Sequence, residues 1–180
     1  MEVFQLVKKA KKGNKEALLQ LIMKEKDVYY KLAFTYMGNQ HDAMDAMEEM
    51  IVRLYESVHQ LKKDEAFYSW SKTILVNSCK TMLKKRKRLV LVEELNHQME
   101  NEHNHLAEDP YKHSEQQIDI QQLLLHVNEH QKEAIQLKYF HDLDYQTIAD
   151  MTNVSIGTVK SRIFQGLKKL KAHFGGEGDE

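Results

Sequence analysis

The chain has one cysteine, one proline and seven glycines in 180 residues, and its 26 lysines and arginines nearly balance 27 acidic residues. A single thiol, Cys79, excludes an internal disulfide framework and any multi-thiolate zinc or iron–sulfur site. Cys79 reads either as a small packed residue or as a redox sensor. So little proline and glycine leaves few helix breakers among abundant Leu, Lys, Gln and Met, and an all-α protein is expected. No apolar run reaches the roughly 18 residues of a membrane span. The opening MEVFQLVKKAKKG lacks the pattern of a secretory signal, so a cytoplasmic location is expected. With 42% hydrophobic and 29% charged residues the chain can bury a core, which argues against global disorder. Its length allows one ordinary domain or two small ones, not a large enzyme.

The overall balance hides a segregation of charge. Residues 80–88 hold six basic and no acidic side chains, whereas 89–117 hold seven acidic and only Lys112 as a base. Residues 155–174 carry five lysines and arginines and no acid, and the tail 175–180 carries three acids and no base. A polyanion feels the local field, so near-neutrality does not exclude nucleic acid as a partner.

Apolar residues at Leu18, Leu21, Ile22, Tyr29, Leu32, Ala33 and Tyr36 recur at helical steps and predict one helix over 16–36. Gly38 and Asn39 end it, and Asp42 is expected to cap the next helix. That helix places Met47, Met50, Ile51, Leu54, Tyr55 and Val58 on its inner face, with Asp45, Glu49 and Glu56 opposite. A third helix is expected from Asp64 to about Arg88, with Trp70 and Ile74 inward and Lys80, Lys84 and Arg88 as a basic stripe. Residues 89–117 lose the periodicity and contain Pro110 and four of the ten histidines; they read as a flexible acidic linker with room for some helix near Leu91–Met99. Periodicity returns at Ile118 and continues through Leu123, Leu124 and Val127. Asn128 can cap a helix bearing Ala134, Ile135, Leu137 and Phe140. The expected organisation is two small helical domains, 1–88 and 118–174, joined by the linker 89–117 and followed by an acidic tail, 175–180.

The densest motif is DLDYQTIADMTNVSIGTVKSRIFQGLKKLK, residues 142–171. Asp144 caps a short helix with Ile148 and Ala149 inward, and the small Ala149 allows a close crossing. Thr152-Asn153-Val154 forms a turn in which Asn153 tolerates a left-handed backbone. Ser155 caps a second helix that buries Val159, Ile163, Leu167 and Leu170 and exposes Lys160, Ser161, Gln165, Lys168 and Lys169. This is a helix-turn-helix: free amides at a helix start, followed by lysines, suit phosphate clamping and major-groove reading.

The stretch YYKLAFTYMGNQHDAMDAMEEMIVRLYESV, followed by LKKDEAFYSWSKTILVNSCKTMLKKRKR, resembles region 2 of the extracytoplasmic-function sigma factors of bacterial RNA polymerase. VSIGTVKSRIFQGLKKL resembles the end of their region 4. The resemblance covers residues 10–88 and 118–174, in family order and spacing. It implies two helical domains and no enzymatic activity, substrate or cofactor. It also implies that Asp45, Glu48 and Glu49 grip core RNA polymerase. Asp64, Phe67, Tyr68, Asn77, Lys80 and Lys84 would handle the melted −10 strand of promoter DNA, where opening a duplex calls for π-faces, a base pocket and cations. Trp70 is expected to pack in the core, and the loop Gln60–Glu65 to receive a flipped base. Ser155, Thr158, Lys160, Ser161, Phe164, Gln165 and Lys168 would face the −35 element, with Lys160 suited to guanine and Gln165 to adenine. The linker reads equally as a solvated tether or as a nucleic-acid mimic. Relatives are commonly held inactive by an anti-sigma factor, often membrane-bound, and such a partner is implied here.

A second reading is a dimeric helix-turn-helix transcriptional regulator with an N-terminal sensor domain, which would bind a palindrome. A metal or catalytic site has little support. His103-Asn104-His105 lies in the linker without flanking strands, and His126 and His130 are separated by the break expected at Asn128.

Overall fold

The computed structural model describes residues 2–96 and 115–174, the side chains of 115–119 excepted; among them every regular element is helical. The chain divides into two compact units, Met1–Glu108 and Asp109–Glu180. No helix among the described residues is long and apolar enough to cross a membrane.

The first unit contains α1 (Glu2–Lys11), α2 (Lys15–Lys24), α3 (Lys26–Met37), α4 (Gln40–Ser57) and α5 (Phe67–Asn96). Helix α1 packs on α2, while α3, α4 and α5 pack against one another in pairs. The helix expected over 16–36 is two helices, because the chain turns at Glu25, whose amide bonds back to the Ile22 carbonyl at 3.2 Å. The segment from Met23 to Lys26 contains neither proline nor glycine, so composition gave no sign of this break. Gly38 ends α3 in the left-handed region, φ 78°, where a Cβ would be strained. Asn39, not Asp42, is the N-cap of α4: its side chain accepts from the Asp42 amide at 2.9 Å, placing Asp42 in the first turn.

Alanines set the inner face of α4. Ala43, Ala46, Met50 and Leu54 are buried, and Tyr55, expected inward, is 47% exposed. Small residues let α4 approach its neighbours closely, leaving no room for a tyrosine on that side. On α5 the buried face carries Phe67, Ser71, Leu75, Val76, Ser78 and Cys79, so Trp70 and Ile74 lie beside the core, half-buried. A polar chain fixes this register. The Ser71 hydroxyl donates to the Tyr68 carbonyl at 3.0 Å, and Tyr29 Oη lies 2.7 Å from Ser71 Oγ. Burial pushes the Tyr29 phenol up, so it remains a donor.

At 30 residues α5 is roughly 45 Å long. It continues eight residues past Arg88, so the first part of the segment read as linker is helical, with Leu89, Val90, Leu91, Val92 and Leu95 exposed. The last residues of that segment begin α6; the rest of it, with His103 to His105 and Pro110, lies outside the described residues, as does the tail 175–180.

The second unit contains α6 (Glu115–Leu124), α7 (Glu129–Ile135), α8 (Tyr145–Thr152) and α9 (Ile156–Phe174). Leu124, Val127 and Ile135 form a buried cluster on which Leu170 rests. Asn128 and Gln131 form a reciprocal capping box at the start of α7. Between α7 and α8 the backbone widens into a π turn over Gln136–Phe140, which leaves Leu137 buried but swings Phe140 outward, against expectation.

Candidate nucleic-acid interface and the acidic helix face

The helix-turn-helix forms as its caps dictate. Asp144 accepts from the Thr147 amide at 2.8 Å, and hydrogen bonding from the Thr147 side chain, then from its amide, holds the carboxyl below the usual range. Ile148 and Ala149 are buried; Asn153 adopts φ 56°, ψ 45°, as the turn requires. Ser155 Oγ accepts from the Thr158 amide at 3.2 Å, and the Ser155 and Thr158 hydroxyls lie 3.0 Å apart.

Helix α9 buries Val159, Ile163 and Gly166, whereas Leu167, expected inside, is 39% exposed. Gly166 makes a second tight crossing, of α9 on α7, beside the α8–α9 crossing expected at buried Ala149. A Cβ at Gly166 would stand 2.7 Å from Ile135 Cδ1 and 3.2 Å from Gln131 Cβ. The opposite face displays Ser161, Phe164, Gln165 and Lys168 to solvent, with Phe164 65% exposed. An aromatic ring so open on a basic helix contributes nothing to the fold and is available to a partner surface.

Ser155, Thr158, Ser161 and Gln165 line an open groove together with Asn128, His130, Gln131, Gly157 and Arg162. Lys160 leaves α9 on the other flank, where its Nζ lies 5.2 Å from the centre of the Tyr145 ring. Sequence reading missed Arg162 because its spacing puts it beside the buried stripe. The groove exists only because α7 lies alongside α9, a tertiary fact that no local pattern encodes.

In the first unit the residues expected at the −10 strand part company. Phe67 is 1% exposed and belongs to the core, so its ring has no face for a base, a correction to its expected role. Tyr68 is held by structure: its hydroxyl donates to the Leu21 carbonyl at 3.1 Å, and its ring meets Phe67 edge-on. Asp64 pairs with Lys11 at 2.8 Å, which pins the short turn ahead of α5 to α1. Asn77 and Lys84 are exposed on α5, and half-buried Lys80 reaches over the Tyr36 ring at 5.9 Å. By helical spacing Trp70, Thr73, Asn77, Lys84 and Arg88 share one side of α5. This strip therefore places an aromatic ring, an amide and cations in line along α5.

Arg86 points to the other side. Its guanidinium donates to the buried Asp42 carboxylate in the first turn of α4, which also accepts from the Asn39 side chain. The Arg86 bond, with help from Asn39, holds the Asp42 carboxyl down to about 2 against the opposing effect of burial. The pair fixes where the basic end of α5 sits relative to the start of α4.

The outer side of α4 presents Asp45, Glu48 and Glu49 as expected. Glu49 is partly neutralised by Arg53 at 3.1 Å, and Asp45 lies 3.4 Å from His41 Nδ1. Exposed Met44, Val52 and Tyr55 lie among these acids, so the surface is mixed apolar and acidic. That mixture suits a protein partner better than a purely solvated face would. His41, Asp42 and Asp45 could together hold a cation by proximity alone, but the Arg86 guanidinium already neutralises Asp42.

Residues 21–89 match the sigma-70 region 2 model and residues 117–170 the sigma-70 region 4 model. The chain is 31% identical over 163 residues to the RNA polymerase sigma factor SigV of Bacillus subtilis, covering 91% of this chain and 94% of that protein. It is 27% identical over 179 residues to the ECF RNA polymerase sigma factor SigW of the same organism, covering 95% and 96%. Two solved structures share the fold. One is CnrH in complex with the cytosolic domain of CnrY (TM-score 0.68, 17% identity, 99% of this chain and 100% of that one). The other is the sigma factor RpoE with the anti-sigma factor NepR from Bartonella quintana (TM-score 0.67, 20% identity, 88% and 96%).

Proposed function

Because the chain belongs to the extracytoplasmic-function sigma factors of bacterial RNA polymerase, we propose a division of that family's work among its own residues. The chain directs core RNA polymerase to specific promoters and helps to initiate transcription. The observation that carries this is the pair of matches, region 2 and then region 4, within a chain aligned over nearly its whole length to named sigma factors. A dimeric regulator is not favoured, since region 2 stands where its sensor domain would be.

In this reading residues 1–88 bind core polymerase through the outer side of α4: Asp45, Glu48 and Glu49 attract a basic surface, and Met44, Val52 and Tyr55 bury against it. The strip on α5 captures the opened −10 strand. Trp70 offers the stacking face, Asn77 the hydrogen-bonding edge, and Lys84 with Arg88 the phosphate contacts, which suits a single strand whose bases are splayed. Residues 118–174 read the −35 element through Ser155, Thr158, Lys160, Ser161, Phe164, Gln165 and Lys168. Arg162 joins them from the groove beside α7, a placement suited to a backbone phosphate. Residues 89–117 tether the two domains, whose weak separate affinities combine once the polymerase fixes their spacing.

A sigma factor is a non-catalytic initiation factor, and we assign the chain no reaction of its own. Its place is the cytoplasm, where the polymerase works. The solved RpoE relative is bound to an anti-sigma factor, and a protein of that class is the inhibitor we expect for this chain. Permanganate footprinting of a promoter complex tests the division of labour. Thymines at −10 should become reactive only when core polymerase and the chain are both present. Trp70→Ala should suppress this reactivity while protection at −35 persists. Loss of both signals together would contradict the assignment of opening to the α5 strip.

A further inference from the structure

Lys160 is the base-reading candidate on the flank of α9 nearest α8, and its ammonium does not hang free. Nζ lies 5.2 Å from the centre of the Tyr145 ring. Tyr145 is the first residue of α8, directly after the cap Asp144. Its backbone position is thus fixed by the same bond that starts the helix-turn-helix. The ring is half-buried, and Lys138 reaches it as well, with Nζ 4.5 Å from its centre and 3.5 Å from the Leu143 carbonyl. One aromatic ring therefore gathers a lysine from the π turn and a lysine from the reading helix.

An exposed lysine has four rotatable bonds and loses that freedom when its ammonium is placed on a base. The negative face of an aromatic ring attracts an ammonium and limits where it goes before the DNA arrives. We propose that Tyr145 is a positioning residue for Lys160: its π-face pre-organises the ammonium at the edge of the reading helix. The base preference at the position Lys160 contacts then depends on the ring at residue 145. The inference rests on the assignment of Lys160 to the −35 element.

Two measurements test it, one without DNA and one with holoenzyme. In solution NMR of the full chain, the Lys160 side-chain methylene protons should show an upfield ring-current shift. Tyr145→Leu should abolish it and Tyr145→Phe restore it. In holoenzyme binding to promoters varied at each −35 position, Lys160→Ala should relax preference at one position. Tyr145→Leu should relax the same position by about two- to fivefold, the range expected for an exposed cation–π contact. Tyr145→Phe should keep the preference, and Tyr145→Leu should add nothing at that position in the Lys160→Ala background. Absence of the ring-current shift in the unaltered chain overturns the proposal and leaves the sigma-factor assignment standing. A uniform loss of binding in Tyr145→Leu with preference intact also overturns it, since a structural or phosphate-contact role would act that way. A Tyr145→Phe variant as impaired as Tyr145→Leu would overturn it too, by assigning the effect to the hydroxyl. If the holoenzyme shows no promoter preference at all, the sigma-factor reading fails with it.

Discussion

Breaking the contact between Asp42 and Arg86 should loosen the first unit by a measurable and pH-dependent amount. The Asp42 carboxyl is held at about 2, against an ordinary value of about 3.9. If the whole shift were realised, linkage would give about 2.6 kcal/mol of stability at pH 7. Arg86, Asn39 and His41 share it as donors, and the Arg86 side chain is 45% exposed. Screening therefore leaves the Arg86 share at about 1 kcal/mol. Because the folded value is depressed, the contribution is complete above about pH 4 and is lost as pH falls toward 2; at pH 3 about half remains. The assay is urea unfolding of the full chain followed by tryptophan fluorescence. Trp70 is the only tryptophan and lies on α5, so the signal reports the first unit alone. A double-mutant cycle with Asp42→Asn and Arg86→Met should give a coupling of about 1 kcal/mol at pH 7, roughly halved at pH 3. Additive single effects at pH 7, or a coupling that grows as pH falls, would refute the reasoning.

Further outcomes follow from burial and packing. Phe67→Ala should cost about 3–5 kcal/mol as a core truncation, whereas Trp70→Ala should cost far less while abolishing −10 opening; far-UV circular dichroism melts and permanganate reactivity separate the two. Gly166→Val should destabilise the second unit by about 1–3 kcal/mol through overpacking against Ile135 and Gln131, seen as an earlier thermal transition that leaves the Trp70 signal unmoved. The Cys79 thiol is fully buried and pushed up to about 12 by desolvation. It should resist a thiol reagent at pH 8 in the folded chain and react in urea, and rapid reaction of the folded chain would restore the redox-sensor reading.

What could be read in advance was the part written in local chemistry. Asp144, Asn153 and Ser155 act within four residues of their own positions, and each does in the structure what its side chain dictates. The residues misplaced by sequence reading are those decided by a neighbour distant along the chain. Tyr55 turned outward because Ala43 and Ala46 define the close approach of α4, so bulk and hydrophobicity gave the wrong face. Phe67 lies in the core and Trp70 half-buried beside it because the buried Tyr29–Ser71 contact, 42 residues apart, sets the rotation of α5. The break at Glu25 lacks a breaker residue, and Gly166 is indistinguishable from any helix glycine until α7 is seen beside it. The strip on α5 and the groove beside α9 are both consequences of packing. Their charged members could be named from sequence, but not Arg162 nor the half-buried placement of Trp70.

The central claim is that this chain gives core polymerase its choice of promoter. In-vitro transcription with bacterial core polymerase, the purified chain and a genomic-fragment library, with 5′ ends mapped, tests it most directly. The account predicts discrete starts that appear only when the chain is present and share two spaced upstream elements. An unchanged set of starts, with the chain binding DNA alone as a dimer, would contradict it.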